Sequence, residues 1–154
     1  MIVAMNMTRL LCILAVAGFA SATVHAAPAK TCVPQFRNGW VRLPPTPSMP
    51  MAAGFGEFVN DCAQPMAVVS ASSAGFDEVS LHETAQVEGV NRMREVPRLV
   101  LPVNGKVALA PGGLHLMLMQ PKQVLAEGAS VAVTFTLEDG STLPATLQVR
   151  KVAP

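Results

Sequence analysis

The sequence predicts an all-β fold, a sandwich or a barrel, and three features carry that expectation. Val, Leu, Thr and Phe recur in short runs of strand length, with Gly or Pro interrupting about every eight to twelve residues. The pairs Glu88-Gly89, Asn104-Gly105 and Asp139-Gly140 suit the positive φ angles of tight hairpin turns. No long stretch has helical periodicity, and there is no repeat or low-complexity tract.

In chain order, the first element stands outside the fold. Leu10 to Ala20 form an apolar run that follows Arg9 and is too short to span a bilayer, and Val24-His25-Ala26 has the small-x-Ala pattern of a signal-peptidase site. Residues 1–26 therefore read as a signal peptide and 27–154 as one domain of 154 − 26 = 128 residues, exported to the periplasm with no stable membrane insertion after cleavage. Cys12 lacks the Leu-Ala-Gly-type residues that precede a lipidated cysteine. The mature domain carries ten Lys/Arg and ten Asp/Glu once Arg9 is gone. It has no basic patch or arm, which argues against nucleic acid as a partner.

Strands are expected over 36–43, 53–60, 66–72, 78–85, 90–95, 98–101, 106–110, 113–120, 130–138 and 141–150. The Pro-rich segment 44–50 cannot pair in a central strand and reads as an extended surface loop. Trp40 and the Phe residues read as core. Cys32 and Cys62 are the mature cysteines, and in an oxidising compartment such a pair is expected to form a disulfide; a two-cysteine metal site without a nearby His is the poorer reading.

Catalytic signatures are missing: there is no Gly-rich phosphate loop, no Gly-x-Ser-x-Gly elbow and no His-Glu-x-x-His pair. What stands out is His115-Leu116-Met117-Leu118-Met119. On a strand, His115, Met117 and Met119 share one face while the leucines form an ordinary core stripe on the other. His82 lies in a second strand, with Ser80 and Thr84 on its face. If two residues make the turn at Glu88-Gly89, Met93 returns on the face of His82; a three-residue loop would separate them. With the even register, His82, Met93, His115 and Met117 make a four-ligand set of imidazole and thioether, which suits Cu(I) far better than Mg, Ca or Zn.

The spacing His82, ten residues, Met93, twenty-one residues, His115, one residue, Met117 resembles the signature of the periplasmic copper chaperone family PCuAC. So do Leu81-His82-Glu83-Thr84, Met93-Arg94 and the block Leu109 to Met119 with its Pro-Gly-Gly turn, and the likeness extends roughly from Gly39 to Arg150. The resemblance implies a cupredoxin-like Greek-key β-sandwich, monomeric and not an enzyme. It further implies one Cu(I) bound by His82, Met93, His115 and Met117. It also implies delivery to a copper-accepting protein, such as the binuclear centre of oxidase subunit II during assembly of cytochrome c oxidase, or a thiol-containing assembly factor. Two departures stand out. Glu83 occupies a position where some members carry Met, and the sequence ends at Pro154 without a His/Met-rich tail, so no tail site is expected. Copper resistance or storage is the alternative role. A redox cupredoxin would need a Cys thiolate ligand, which the sequence does not place near His115, and the plainest alternative is a structural β-sandwich.

Overall fold

The computed structural model describes residues 32–154, and the expected signal peptide lies outside the described residues. No described residue is helical, and no helix among them is long and apolar enough to cross a membrane. Ten strands follow one another: β1 (Gln35–Arg42), β2 (Met51–Asn60), β3 (Met66–Ser72), β4 (Phe76–Val87), β5 (Val90–Glu95), β6 (Leu99–Leu101), β7 (Gly105–Leu109), β8 (Leu114–Pro121), β9 (Ser130–Leu137) and β10 (Thr142–Arg150). Each expected strand is present with ends displaced by two residues or fewer.

The strands join one continuous sheet in the order β5-β4-β8-β2-β1-β10-β9-β3-β6, with β7 added to β2. Pairing of Ala71 with Val79 links β3 back to β4. That link closes β4, β8, β2, β1, β10, β9 and β3 into a seven-stranded barrel-like sheet, and closure removes most of the exposed edges. The seam between β1 and β10 is parallel and the other pairings are antiparallel.

Alternation sets the interior. Along β9, Val131, Val133, Phe135 and Leu137 are buried while their neighbours face outward, the period-two pattern of a one-sided strand. They pack with Phe58, Leu116, Leu118, Leu147 and Val149 in one core. Each such side chain contributes roughly 1.5–3 kcal/mol by leaving water. Trp40 and Phe55 are also buried, but they stand apart from this core. A bulge in β1 between Arg37 and Trp40 shifts the alternation, so Phe36 faces the core and Trp40, opposite Phe55, faces the other side.

One end of the barrel is tied by polar bonds and a cross-link. Asn60 is fully buried; its Nδ2 donates to the carbonyls of Gln64, Leu101 and Pro102, and its Oδ1 accepts from the Cys62 amide. Cys32 and Cys62 form the expected disulfide, with Cα atoms 5.8 Å apart and 30 residues between them in sequence. Closing such a loop in the unfolded chain is worth about 3–4 kcal/mol in the chain-entropy model. A Cys32→Ser/Cys62→Ser variant should lose about that much stability in urea unfolding while keeping its β-sheet circular dichroism. An unchanged midpoint would show that the cross-link does not constrain the unfolded chain.

Candidate metal site

The turn between β4 and β5 decides which side chains meet. Val87 pairs with Val90, so the loop is the two residues Glu88 and Gly89, at φ 53° and 78°. Both values are positive, as a type I′ hairpin requires, and Gly89 takes its value without a Cβ penalty. The even register follows: Thr84 is opposite Met93 and His82 is opposite Glu95, so Met93 lies diagonal to His82 on one face. Glu83 and Arg94 are paired on the reverse face, with Arg94 Nε donating to Glu83 at 3.0 Å. Glu83 therefore faces away from His82 and Met93.

The other half comes from β8, which pairs with β4 so that His82 is opposite His115 and Ser80 opposite Met117. The Pro111-Gly112-Gly113 turn delivers His115. Gly112 takes φ 83°, the Gly113 amide donates to the Ala110 carbonyl at 3.1 Å, and the Ala110 amide donates to Leu114 at 2.8 Å. The Gly113 carbonyl then accepts twice, from the Thr84 amide at 3.1 Å and from His115 Nδ1 at 2.9 Å. A carbonyl can only accept, so Nδ1 carries the proton and Nε2 of the neutral ring is a bare lone pair. That Nε2 lies 3.3 Å from Met93 Sδ. With the ring neutral in this tautomer, neither atom has a hydrogen to give, and the contact is two electron-pair donors facing one another.

His82 is held by Ser80 Oγ, 3.1 Å from its Nε2, and its Nδ1 is buried without a partner. The two imidazole centroids are 6.1 Å apart. Beneath them Phe55 lies 6.5 Å from the His115 ring and 4.6 Å from Trp40, and the Arg42 guanidinium sits 5.3 Å from the Phe55 centroid. Exposure rises steeply across the group, from 7% for His115 to 52% for Met93. Met117, half-buried, follows His115 on the same face, and Met119 comes next, opposite Glu78 and Met51.

The structure thus brings His82, Met93 and His115 together and sets Met117 beside them on the shared face. No group of three or more His, Cys, Asp or Glu able to hold a metal occurs among the described residues, and the disulfide removes both sulfurs of Cys32 and Cys62 as thiolate ligands. The donors that remain are imidazole and thioether, a soft set. Sequence reading missed the Gly113 carbonyl, a backbone group that only the β4–β8 pairing brings to His115. Trp40 and Phe55 are buried, as expected, and past the β1 bulge they lie opposite each other, with Phe55 6.5 Å from the His115 ring.

Comparison with known proteins places the chain. A family model described as "Putative lipoprotein LpqE-like" matches residues 35–149. The chain belongs to this PCuAC-type, LpqE-like family. The LpqE-like chain is 34% identical over 117 residues to "Putative lipoprotein Lxx21020" of Leifsonia xyli, covering 75% of this chain and 69% of that protein. The apo PCuAC domain from PmoF1 has the same fold, with a TM-score of 0.62, 22% identity, and coverage of 77% of this chain and 92% of that one. The solution structure of CuI-DR1885 from Deinococcus radiodurans is 31% identical with a TM-score of 0.60, covering 84% of this chain and 83% of that one.

The tautomer of His115 is directly checkable. Long-range ¹H–¹⁵N spectra of the metal-free protein, with the ring neutral, should report the Nδ1–H form for His115. An Nε2–H form would mean that the Gly113 carbonyl does not orient the ring.

Proposed function

We propose that this protein is an exported copper carrier that binds one Cu(I) through His82, Met93, His115 and Met117 on a cupredoxin-like Greek-key fold and delivers it to another protein. The observation that carries this reading is the 3.3 Å contact between His115 Nε2 and Met93 Sδ, with the proton of the neutral ring held elsewhere by Gly113. Two donors bonded to one ion at roughly 2.0 and 2.3 Å, the lengths of Zn–N and Zn–S bonds, stand about this far apart at a near-tetrahedral angle. The unpartnered, buried Nδ1 of His82 supports it too, because an orphaned polar atom in the interior is costly unless something binds there. Thioether favours Cu(I) over Zn²⁺, and the lack of carboxylate in the set disfavours Mg²⁺ and Ca²⁺.

A carrier fits the site better than a catalyst or a redox centre. With Cys32 and Cys62 bridged, the thiolate of a blue-copper site is not available from them. Release is served by Met93, whose side chain is half exposed. A partner's thiolate can approach from that side and displace the weaker thioether, so the ion moves towards the softer, charged ligand. Likeness to the Cu(I)-bound structure of DR1885 supports a Cu(I) cargo for this chain, and family resemblance points to oxidase subunit II or a thiol-containing assembly factor as recipient. The Arg9, apolar run and Val24-His25-Ala26 order supports export to the periplasm, as does a disulfide between the two mature cysteines.

Two outcomes follow. Met93→Leu and Met117→Leu conserve volume, so each should cost the fold less than about 1.5 kcal/mol. Each should nevertheless weaken Cu(I) binding by tenfold or more in competition with a Cu(I)-specific chelator, since even outer-shell substitutions cost about 10–100-fold. His82→Ala and His115→Ala should weaken Cu(II) as well, and Met119→Leu should have the smallest effect. If Met119→Leu matters more than Met117→Leu, the second thioether is misassigned; if no ligand substitution matters, the copper reading fails. The second outcome concerns processing. Intact mass of protein from its native host should match a chain beginning at Ala27, whereas retention of residues 1–26, or a lipid on Cys12, would refute cleavage there.

A further inference from the structure

On the other side of β8 from His82 and Met93, where β8 meets β2, lies a cavity of about 210 Å³ that borders the copper site at His115 and Met117. Met49, Met51 and Met117 line it, with Pro44, Pro45 and Arg42 among the walls. No lining residue has a carboxylate, hydroxyl or amide side chain. His115 also borders the cavity but offers it no free nitrogen, because Nδ1 is bonded to Gly113 and Nε2 faces Met93. The side-chain lone pairs that remain are three thioether sulfurs.

This pocket is built rather than left over. Ala53 is opposite Met117 in the β2–β8 ladder, and its small side chain leaves the room between Met117 and Met51. The Pro-rich segment, expected as an extended loop, turns over this end of the sheet and is pinned there. The Leu43 amide donates to Arg150 at 2.8 Å, the Met49 amide to Thr46 at 3.1 Å, and the Gln120 amide to Pro50 at 2.6 Å. Prolines at 44, 45, 47 and 50 fix further φ angles, so Met49 is carried on a stiff strap. The methionine side chains themselves have three rotatable bonds each and can converge on an ion.

We infer that Met49, Met51 and Met117 form a second, weaker Cu(I) station that feeds the main site through Met117, the thioether common to both. The inference rests on the copper reading above. An all-thioether set with no oxygen selects Cu(I) over hard cations. Affinity is held down by the missing imidazole and by the positive charge of Arg42, which lines the cavity. A station weaker than the His-containing site passes its ion on instead of retaining it. Met51, 38% exposed, gives the station access to solvent.

The test is a Cu(I) titration, without oxygen, of the exported protein labelled with ¹³C at its methionine methyls. The first equivalent should shift Met93 and Met117; a second, weaker event should shift Met49 and Met51 and move Met117 again. Met49→Leu/Met51→Leu should lose the second event, keep the first at unchanged affinity, and take up copper from a chelated Cu(I) donor severalfold more slowly. If the parent's Met49 and Met51 methyls stay still through the second equivalent, the cavity is a packing gap and the station does not exist. Failure of Met93 and Met117 to respond to the first equivalent would instead sink the copper reading itself. The parent titration decides between these results even if the double variant folds poorly.

Discussion

The pairing of β4 with β5 and β8 governs the site. β4 sits between β5 and β8, and the register on each side sets a donor against it: Met93 diagonal to His82 from β5, His115 opposite His82 from β8. Side chains alternate with a period of two, so a slip of one residue in either ladder would turn a whole strand's donors to the reverse face. Two turns prevent that slip. Glu88-Gly89 closes β4–β5 with two residues, and Pro111-Gly112-Gly113 starts β8 with a carbonyl that bonds both the Thr84 amide and the His115 ring. The Glu83–Arg94 pair on the reverse face adds little energy, about 0.2–1 kcal/mol for an exposed pair, but it is compatible with one register only.

The site sits on strands rather than loops, with its backing supplied by the protein interior. Leu116 and Leu118, flanking Met117 on the opposite face of β8, are fully buried in the core and fix the strand's position. Ser80 and Gly113 hold the two imidazoles before any ion arrives, so little side-chain entropy remains to be lost on binding. Met93 is the exception. It is carried on the exposed strand β5, every residue of which faces solvent. On the copper reading proposed above, a rigid, buried imidazole facing an exposed thioether would make a centre preorganised on one side and displaceable on the other, as transfer between proteins demands.

Much of this was legible in the sequence because it depends on local rules. Glycine-bearing turn pairs and period-two alternation located ten strands, and the same alternation put His115, Met117 and Met119 on one face. The one conditional step, whether the Glu88-Gly89 turn has two residues, could not be settled without the β4–β5 ladder. What stayed hidden depends on contacts between distant segments. Ala71 meeting Val79 closes the sheet into a barrel, where the sequence left sandwich and barrel open. The shift of Trp40 to the site face needs the β1 bulge, and the cavity needs Met51 of β2 to lie beside β8, sixty-eight residues on at Met119. No spacing within a single strand signals either arrangement.

In the proposed site, two imidazoles and two thioethers share one Cu(I). X-ray absorption at the copper K-edge, on protein loaded with a single equivalent, reads both the oxidation state and the ligand shell. The expected spectrum is a Cu(I) edge with two nitrogen and two sulfur neighbours at roughly 2.0 and 2.3 Å, by analogy with zinc bonds to imidazole and sulfur. A shell of nitrogen and oxygen alone, or of sulfur alone, would contradict it.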